Sequence, residues 1–256
     1  MSSLVVKDLC KTYIVNKRQN NVLRNVNMEI QEGEMVAVMG PSGSGKSTLL
    51  YAISGMDRPT AGSVSFFGKD LTKLDAAQMS DMRLDEMGFI FQQMYMLKNL
   101  SIYDNIILPA YQSQNGKGKE KRAAINDRAK ELMKKLGISE IAENDINEVS
   151  GGQLQRACIC RSLINQPKMI FADEPTGALN QQNSKEVMKE LNRINAEGTT
   201  VMLVTHDMKV AAKSDRVLYI EDGNIKGEIT FGKLGENGEI KERERRISNW
   251  LMEMGF

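Results

Sequence analysis

Three short strings in this chain combine residue types that are suited to binding phosphate and metal. They read Gly40-Pro41-Ser42-Gly43-Ser44-Gly45-Lys46-Ser47, Val149-Ser150-Gly151-Gly152-Gln153 and Met169-Ile170-Phe171-Ala172-Asp173-Glu174. The backbone N–H groups of the first string can wrap a phosphate, while Lys46 reaches the β- and γ-phosphate oxygens and Ser47 holds a metal at a helix N-terminus. The second string, a glycine-rich turn led by serine, predicts a phosphate contact made to a neighbouring subunit.

The third string ends an apolar strand with two carboxylates. Asp173 can bind the shell of a Mg²⁺ ion, and Glu174 can polarise an attacking water molecule. Taken alone, these residues could form an acidic turn in which Pro175 merely stops the strand. The glycine-rich loop upstream favours the functional interpretation, because a phosphate loop and a metal-binding carboxylate act together.

His206 is the only histidine in the chain, and it follows the apolar run 201–205. In a parallel sheet it would open onto the same edge as Asp173, where ligands bind. We expect it to contact the γ-phosphate or to orient Glu174. A lone histidine is more often structural, so His206 without the other motifs would not indicate a site.

The composition is that of a globular chain with a full core. It has 256 residues, of which 41% are hydrophobic and 26% charged, and its net charge of +1 creates no global field that favours nucleic acid or an anionic membrane. The chain has no apolar run of about 18 residues, and its start lacks the pattern of an export signal. We therefore expect it in the cytosol.

The cysteines do not indicate a metal site. Cys10, Cys158 and Cys160 are odd in number, and a Cys-x-Cys pair with a single distant histidine cannot furnish four zinc ligands. We interpret them as reduced, packed thiols.

The order of apolar runs and turns predicts an α/β fold with a mostly parallel sheet and a helical insertion. Short strands are predicted at 4–6, 28–30, 34–39, 62–68, 169–172, 199–204 and 216–220. A helix is expected to begin at Lys46 and to end before Gly55 and Pro59. Helical periodicity dominates from about Leu100 to Gly137, and the polar stretch 112–119 within it predicts a mobile turn.

The tail has alternating apolar residues followed by a charged helix. In that helix Ile247, Trp250, Leu251 and Met254 fall on one face. We expect this face to pack back on the domain. The alternative, a helix that binds a partner, remains open.

Taken together, these motifs make the chain resemble the ATP-binding cassette ATPases that drive ABC transporters, over nearly the whole chain up to about Gly227. The resemblance implies an α/β P-loop NTPase with a RecA-like core, an antiparallel β subdomain and an inserted α-helical subdomain. It implies an ABC ATPase domain over residues 1–227, with the helical subdomain at about 95–160. A C-terminal extension over 228–256 would carry the amphipathic helix.

The resemblance also implies roles for individual residues, with ATP and Mg²⁺ as the ligands. The nucleotide contacts are Tyr13, Gly40, Ser42, Gly43, Gly45, Lys46, Ser47, Thr48, Ser150, Gly151, Gly152 and Gln153. Catalysis falls to Glu174, His206 and the Q-loop residue Gln92, and the Mg²⁺ ligands are Ser47, Gln92 and Asp173. Tyr13 matches the aromatic residue that stacks on adenine. Two chains would form a head-to-tail dimer on ATP, in which Ser150 and Gly152 complete the partner's site.

Two departures from the family pattern stand out. The D-loop reads Ala178-Leu179-Asn180, so an amide replaces the usual interfacial carboxylate, which bears on turnover or on communication between the two sites. The second of the three strings, Val149 to Gln153, matches the family's signature and is called the signature string below. It opens with Val149 where leucine is commoner, and Leu154 after it replaces a frequent glutamine. We expect both signature changes to be tolerated.

Two stretches, 175–179 and 88–93, resemble the subgroup of macrolide and antimicrobial-peptide exporters (MacB-type), lipoprotein-release ATPases and cell-division ATPases. This implies an ATP-hydrolysing subunit that powers an FtsX-like integral-membrane permease, held at the inner face of the cell membrane. The implied task is export of, or resistance to, antimicrobial peptides or macrolides, and the tail around 249–251 is more like the peptide-resistance branch. Residues 94–97 are a predicted docking groove for the permease, unless they are core beneath the helical lobe.

Three alternatives differ in task or in class. A lipoprotein-release or cell-division ATPase would transmit mechanical work without moving a substrate. A cassette protein that acts on ribosomes or DNA would carry two cassettes or a strongly basic arm, and this chain has one cassette and almost no net charge, so we expect no nucleic acid partner. A small-molecule kinase would leave the signature string and His206 without a role.

Overall fold

The computed structural model describes residues 2–113, 119–235 and 240–255. The ten strands in the described ranges are β1 Ser2–Val15, β2 Arg18–Gln31, β3 Met35–Met39, β4 Ala61–Phe66, β5 Lys69–Asp70, β6 Met87–Phe91, β7 Met169–Asp173, β8 Thr200–Val204, β9 Arg216–Glu221 and β10 Asn224–Thr230. The α-helices there are α1 Lys46–Ile53, α2 Ala76–Glu86, α3 Ile102–Gln112, α4 Lys119–Lys135, α5 Gly151–Leu163, α6 Gln181–Ala196, α7 Met208–Ala211 and α8 Ile240–Glu253. Short 3₁₀ helices cover Leu71–Lys73 and Ser139–Ile141.

The chain divides into two compact units. The first comprises Met1–Asp75 and Ile194–Phe256, and the second comprises Ala76–Arg193. In the first unit, β2, β1, β4 and β5 form an antiparallel sheet in that order. Strands β10, β9, β3 and β8 are neighbours in a second sheet.

Strand β3 is the centre of the second sheet in the first unit. It pairs in parallel with β8, Val38 opposite Val204, and on its other side with β9, Val38 opposite Leu218. Every residue of β3 and of β8 is buried, as expected of parallel strands that are covered on both faces. Their carboxyl ends therefore open at one edge of this sheet.

The second unit is mostly helical around one parallel strand pair. Strands β6 and β7 run in register with Phe91 opposite Asp173. Helix α5 packs against β6 and α3, and α3 packs against α4. The core of this unit includes Ile90, Ile106, Ala157 and Phe171, all essentially inaccessible to solvent.

Helix α8 packs on the first unit, as predicted for its apolar face. Ile247 and Leu251 are buried, and the Trp250 ring meets the Tyr219 ring edge to face at 6.2 Å. The buried guanidinium of Arg243 donates hydrogen bonds to the backbone oxygens of Ser214, Gly232 and Lys233. One charged side chain thus satisfies three carbonyls where the helix joins the sheet.

The structure confirms the α/β class and most of the predicted elements, with differences in extent. The short strands predicted at 4–6 and 28–30 are wrong in length, because β1 and β2 are 14-residue strands. Bulges shift their register at several points, which breaks the alternation that marks a strand in the sequence. Residues 114–118 of the predicted mobile turn lie outside the described residues. Within the described ranges, none of the helices combines the length and apolar character that a membrane crossing requires.

Candidate functional site

The phosphate loop joins β3 to α1 in the first unit. Gly40 has φ 155°, and a Cβ there would overlap the carbonyl oxygen of Ile220, so only glycine fits. Gly45 caps the N-terminus of α1 in the left-handed region, with φ 101°. The loop therefore delivers its backbone to the positive end of a helix, which is the geometry that binds anions.

Two side chains in the loop are placed to receive an anion. The Lys46 ammonium donates hydrogen bonds to the carbonyl oxygens of Gly40 and Pro41, at 2.9 and 2.8 Å, so it lies across its own loop. The Ser44 hydroxyl is buried and has no hydrogen-bond partner in the part of the chain that the structure describes. A buried hydroxyl without a partner is costly, and it fits a loop that is completed by a ligand. Ser42 and Gly43 are exposed at the tip, and Ser47 and Thr48 are partly exposed on α1.

His206 lies at the same sheet edge as the phosphate loop. It comes two residues after β8 ends, and β8 is the direct neighbour of β3. The Thr205 N–H donates to the Val38 oxygen at 3.1 Å, which fixes the backbone beside the loop. The His206 side chain is exposed. Within the first unit, therefore, the predicted phosphate loop and His206 share one edge of the sheet.

The Tyr13 side chain contacts three other side chains of the first unit. Its hydroxyl donates to Asp57 at 2.6 Å, the Lys11 ammonium lies 4.8 Å from its ring centroid, and Thr48 forms a further hydrogen bond with it. Partial burial raises the pKa of Tyr13, and the hydrogen bond and charge of Asp57 act in the same direction. Partial burial acts to raise the pKa of Asp57, but the hydrogen bonds from Lys11 and Tyr13 outweigh it, so this pKa lies below its usual value.

The second unit brings Gln92, Asp173 and Glu174 to one strand edge. Gln92 follows β6 directly, and the register places Asp173 opposite Phe91. Asp173 is buried and Gln92 is exposed. A Cβ added to Gly177 would lie 3.0 Å from Nε2 of Gln92 and 3.4 Å from Cβ of Glu174, so these two side chains flank the same turn.

The backbone of Glu174 has φ 48°, in the left-handed region. A glutamate adopts this conformation only where its surroundings impose it, and such strain accumulates at functional sites. The turn is held by hydrogen bonds from the Gly177 N–H to the Glu174 oxygen and from the Leu179 N–H to the Thr176 oxygen. Pro175 is buried, and its oxygen accepts a 2.8 Å hydrogen bond from the buried Gln155 of α5.

The signature string forms the N-terminus of α5. Ser150 and Gln153 make a capping box, in which the Ser150 hydroxyl accepts from the Gln153 N–H and the Gln153 side chain accepts from the Ser150 N–H. Ser150 and Gly151 are exposed, whereas Gly152 is buried. The N-terminus of this helix, where the helix dipole is positive, therefore presents Ser150 and Gly151 to solvent.

Asn180 of the D-loop has a local structural role. Its side-chain oxygen accepts a 2.9 Å hydrogen bond from the Asn183 N–H, and its carbonyl accepts from the Ser184 N–H. It thus caps α6, a role that aspartate fills equally well.

The structure adds residues that the sequence reasoning did not single out, namely Lys11, Asp57, Gln155 and Asn183. Lys11 stands two positions before Tyr13 on the same strand, so its type and spacing were a usable signal. Asp57 is 44 positions from Tyr13, and Gln155 is 20 positions from Pro175. Contacts at such separations leave no local pattern in a single sequence.

Residues 94–97 form an exposed apolar surface on the second unit. The side chains of Tyr95 and Leu97 are 62% and 51% exposed, so the interpretation of these residues as core is wrong for both. Arg161 holds the backbone by donating to the oxygens of Met94 and Tyr95, at 2.7 and 2.8 Å. The Asn105 side chain accepts from the Leu97 N–H and donates to the Leu97 oxygen. The backbone of the segment is therefore held by hydrogen bonds while the side chains of Tyr95 and Leu97 face solvent.

Comparison with known proteins agrees with this geometry. A family model described as ABC transporter matches residues 23–177. The uncharacterized ABC transporter ATP-binding protein YknY of Bacillus subtilis (strain 168) is 41% identical over 215 residues, which cover 84% of this chain and 91% of that protein.

The macrolide export ATP-binding/permease protein MacB of Shewanella sp. (strain W3-18-1) is 40% identical over 222 residues. The match covers 87% of this chain but 34% of that relative, so the chain spans about a third of the length of MacB. Among solved structures, the ATP-binding cassette MJ0796 as a dimer bound to ADP and Pi matches with a TM-score of 0.81 and 37% identity. That match covers 89% of this chain and 98% of the cassette.

Proposed function

Because this chain belongs to the ABC transporter family of ATP-binding cassettes, we propose that its phosphate loop, strand-edge carboxylates and signature helix form the composite ATPase site of a transporter. The chain binds and hydrolyses ATP. The observation that carries the residue assignment is the loop from β3 to α1, where Lys46 and the buried Ser44 hydroxyl surround a helix N-terminus. These donors are complementary to a polyphosphate.

In this proposal Tyr13 stacks on the adenine, while Gly40, Ser42, Gly43, Gly45, Lys46, Ser47 and Thr48 bind the phosphates. Lys46 would exchange its two loop carbonyls for phosphate oxygens, since an ammonium gains more from an anion than from neutral oxygens. The positive end of α1 adds to this attraction.

The donor set also fits Mg²⁺. Ser47, Gln92 and Asp173 offer hydroxyl, amide and carboxylate oxygens, which are the hard ligands that this ion prefers. The described residues include no cluster of three acidic, histidine or cysteine side chains that could hold a metal by themselves. When bound, Mg²⁺ neutralises the negative charge that develops on the phosphates.

Glu174 and His206 are proposed to act on the attacking water and the γ-phosphate. Glu174 would accept a proton from the water or orient it, a role that contributes typically about 10²- to 10⁴-fold to rate. The strained backbone at Glu174 supports this role, because such strain accumulates at functional sites. Gln92 flanks the same turn and would report occupancy of the site to the helical part of its unit.

The active form is a dimer of cassettes, as in the dimeric solved structures that this chain resembles. We assign Ser150, Gly151, Gly152 and Gln153 to the ATP that the partner subunit binds. The exposure of Ser150 and Gly151 at the positive end of α5 supports this assignment. Closing of the dimer around ATP, and its opening after hydrolysis, would convert differential binding into motion.

Residues 94–97 are proposed to receive a permease of the MacB type at the inner face of the membrane. An exposed tyrosine on a fixed backbone is an anchor of the kind that dominates protein interfaces, and the exposed Leu97 adds apolar area beside it. Export of macrolides or antimicrobial peptides is the proposed task, and the relatives named MacB support it. Lipoprotein release or mechanical signalling in cell division is the second candidate, because it would use the same ATPase chemistry and the same surface.

One experiment tests both parts of the proposal. Tagged Glu174→Gln chain is recovered from detergent-solubilised native membranes with ATP and Mg²⁺, and the co-purifying proteins are identified. We expect no ATP turnover, a stable dimer and a stoichiometric integral-membrane protein that is lost in Lys46→Ala. A matched variant, Tyr95→Ser with Leu97→Ser, should keep the dimer and lose the membrane protein. Normal turnover in Glu174→Gln would defeat the site assignment, and ribosomal or DNA-bound proteins in place of a permease would defeat the transporter assignment.

A further inference from the structure

The Tyr13 ring lies near the turn of the hairpin that β1 and β2 form. Strands β1 and β2 are joined by Asn16 and Lys17, both with positive φ, so the two-residue turn begins only three positions after Tyr13. The neighbouring side chains of Ile14 and Val15 are 73% and 61% exposed and do not anchor the hairpin end. Something else must hold the Tyr13 ring in one orientation.

Asp57 provides that anchor at the hydroxyl end of the ring. The Tyr13 hydroxyl donates to Oδ2 of Asp57 at 2.6 Å, and the Lys11 ammonium donates to Oδ1 at 2.5 Å. Both are charge-assisted hydrogen bonds, which are about twice as strong as neutral ones. Lys11 also lies over the ring, so a planar ligand would use the opposite ring face.

The segment that carries Asp57 is itself fixed to both α1 and β1. The Asp57 N–H donates to the Tyr51 oxygen of α1, and the Thr60 N–H donates to the Cys10 oxygen of β1. Lys11 adds a hydrogen bond to the Arg58 oxygen at 2.7 Å. Because α1 begins at the phosphate loop, this segment sets the distance between Tyr13 and that loop.

We propose that Asp57 and Lys11 are a positioning pair for Tyr13, which holds the ring at a fixed distance from the phosphate loop and thereby sets the affinity for the purine of ATP. The inference rests on the proposed stacking role of Tyr13. Neither residue touches the nucleotide in this scheme. Their effect arises because a preorganised ring loses less conformational entropy on binding.

The test compares a ligand that has adenosine with one that has phosphates only. The full chain is titrated with ADP by calorimetry, and inorganic tripolyphosphate is measured as a competitive inhibitor of ATP hydrolysis. For Asp57→Ala and for Tyr13→Phe we expect the ADP Kd and the ATP KM to rise by about five- to tenfold, a part of what one stacked base contributes. In Asp57→Ala, which leaves the hydrogen bond between Tyr13 and Thr48 in place, the tripolyphosphate Ki and kcat should stay unchanged.

Three further variants sharpen the test. The effect of the double variant Tyr13→Phe with Asp57→Ala should be smaller than the sum of the two single effects, because both single variants remove the hydrogen bond between Tyr13 and Asp57. Lys11→Met should weaken ADP binding, and Lys11→Arg should restore most of it. Asp70→Ala, which removes the hydrogen bond to Thr72 and the ion pair with Lys73 in the same unit, is the matched control and should leave both constants unchanged.

The outcomes separate this proposal from the one on which it rests. If Tyr13→Ala weakens ADP while Asp57→Ala and Tyr13→Phe bind it normally, the ring stacks on the base but the pair does not position it, and this inference is overturned. If Tyr13→Ala itself binds ADP normally, the stacking role fails as well. Equal weakening of ADP and tripolyphosphate would mean that Asp57 supports the phosphate loop through α1, which also overturns the positioning role.

Discussion

The side chain of Asn183 covers Gly152 so closely that a Cβ added to Gly152 would lie 2.5 Å from the carboxamide carbon and nitrogen of Asn183. Gly152 belongs to the first turn of α5, and Asn183 to the first turn of α6, which follows the D-loop. One turn further along, Arg156 of α5 forms a 2.5 Å ion pair with Glu186 of α6. Helix α5, which carries the signature string, and helix α6, which follows the D-loop, are therefore in contact at their N-terminal ends.

This contact predicts opposite outcomes for the two glycines of the signature string. Gly152→Ala should lower the free energy of unfolding by about 1–3 kcal/mol, because Asn183 must move or the helices must separate. Gly151→Ala should not, since its Cβ would meet the nearest atom, in Leu179, at 3.9 Å. Urea unfolding measures both. The variant Gly152→Ala with Asn183→Ala should recover most of the loss, and equal effects at 151 and 152 would contradict the contact.

Candidate site residues can be proposed from the sequence, whereas the contacts that support them cannot. The phosphate loop, Asp173 and Glu174 are recognisable because phosphate chemistry requires those types at those spacings, and β3 and β7 are uninterrupted apolar runs. The full length of β1 was not predictable, because bulges and positive φ at Asp8 interrupt its alternation. The supports of the site, such as the bond from Gln155 to Pro175, depend on which distant segments meet.

The cap formed by Asn180 predicts that the amide and the carboxylate are interchangeable in local structure. Asn180→Asp should change the free energy of unfolding by less than about 0.5 kcal/mol, whereas Asn180→Ala should lower it by about 1 kcal/mol through loss of the hydrogen bond to the Asn183 N–H. Chemical denaturation of the three chains measures this. Because Asn180→Asp preserves the cap, a change in its rate of ATP hydrolysis relative to the wild type would be caused by the added negative charge at the D-loop. A loss of stability in Asn180→Asp equal to that in Asn180→Ala would contradict the cap.

Arg243 is predicted to be the residue that holds α8 on the first unit. Arg243→Ala should lower the free energy of unfolding by about 3 kcal/mol, because backbone oxygens of Ser214, Gly232 and Lys233 lose a charged donor. Among the residues that the structure describes, Arg245 on the same helix makes only a solvent-exposed ion pair with Glu242. Arg245→Ala should therefore unfold at the same urea concentration as the wild type. Similar midpoints for both variants would show that α8 is held by its apolar face alone.

The buried cysteines predict a dependence of reactivity and stability on pH. Burial raises the pKa of Cys158 to about 11 and that of Cys160 further still, while Cys10 is partly exposed. At pH 8 an aromatic disulfide reagent should modify Cys10 alone in the folded chain and all three thiols in urea, since the thiolate is the reactive form. Mass spectrometry of the modified peptides identifies the sites.

The raised pKa of Cys158 also predicts that the folded state loses stability as the pH rises. The pKa of Cys158 is higher in the folded state than in the unfolded chain. Its contribution to the free energy of unfolding is therefore fully present below about pH 9 and is lost as the pH rises towards 11. The difference in unfolding free energy between the wild type and Cys158→Ala should therefore shrink by about 1.4 kcal/mol per pH unit across that window. A constant difference for Cys158→Ala, or rapid modification of Cys158 at pH 8, would mean that α5 opens to solvent in the native state.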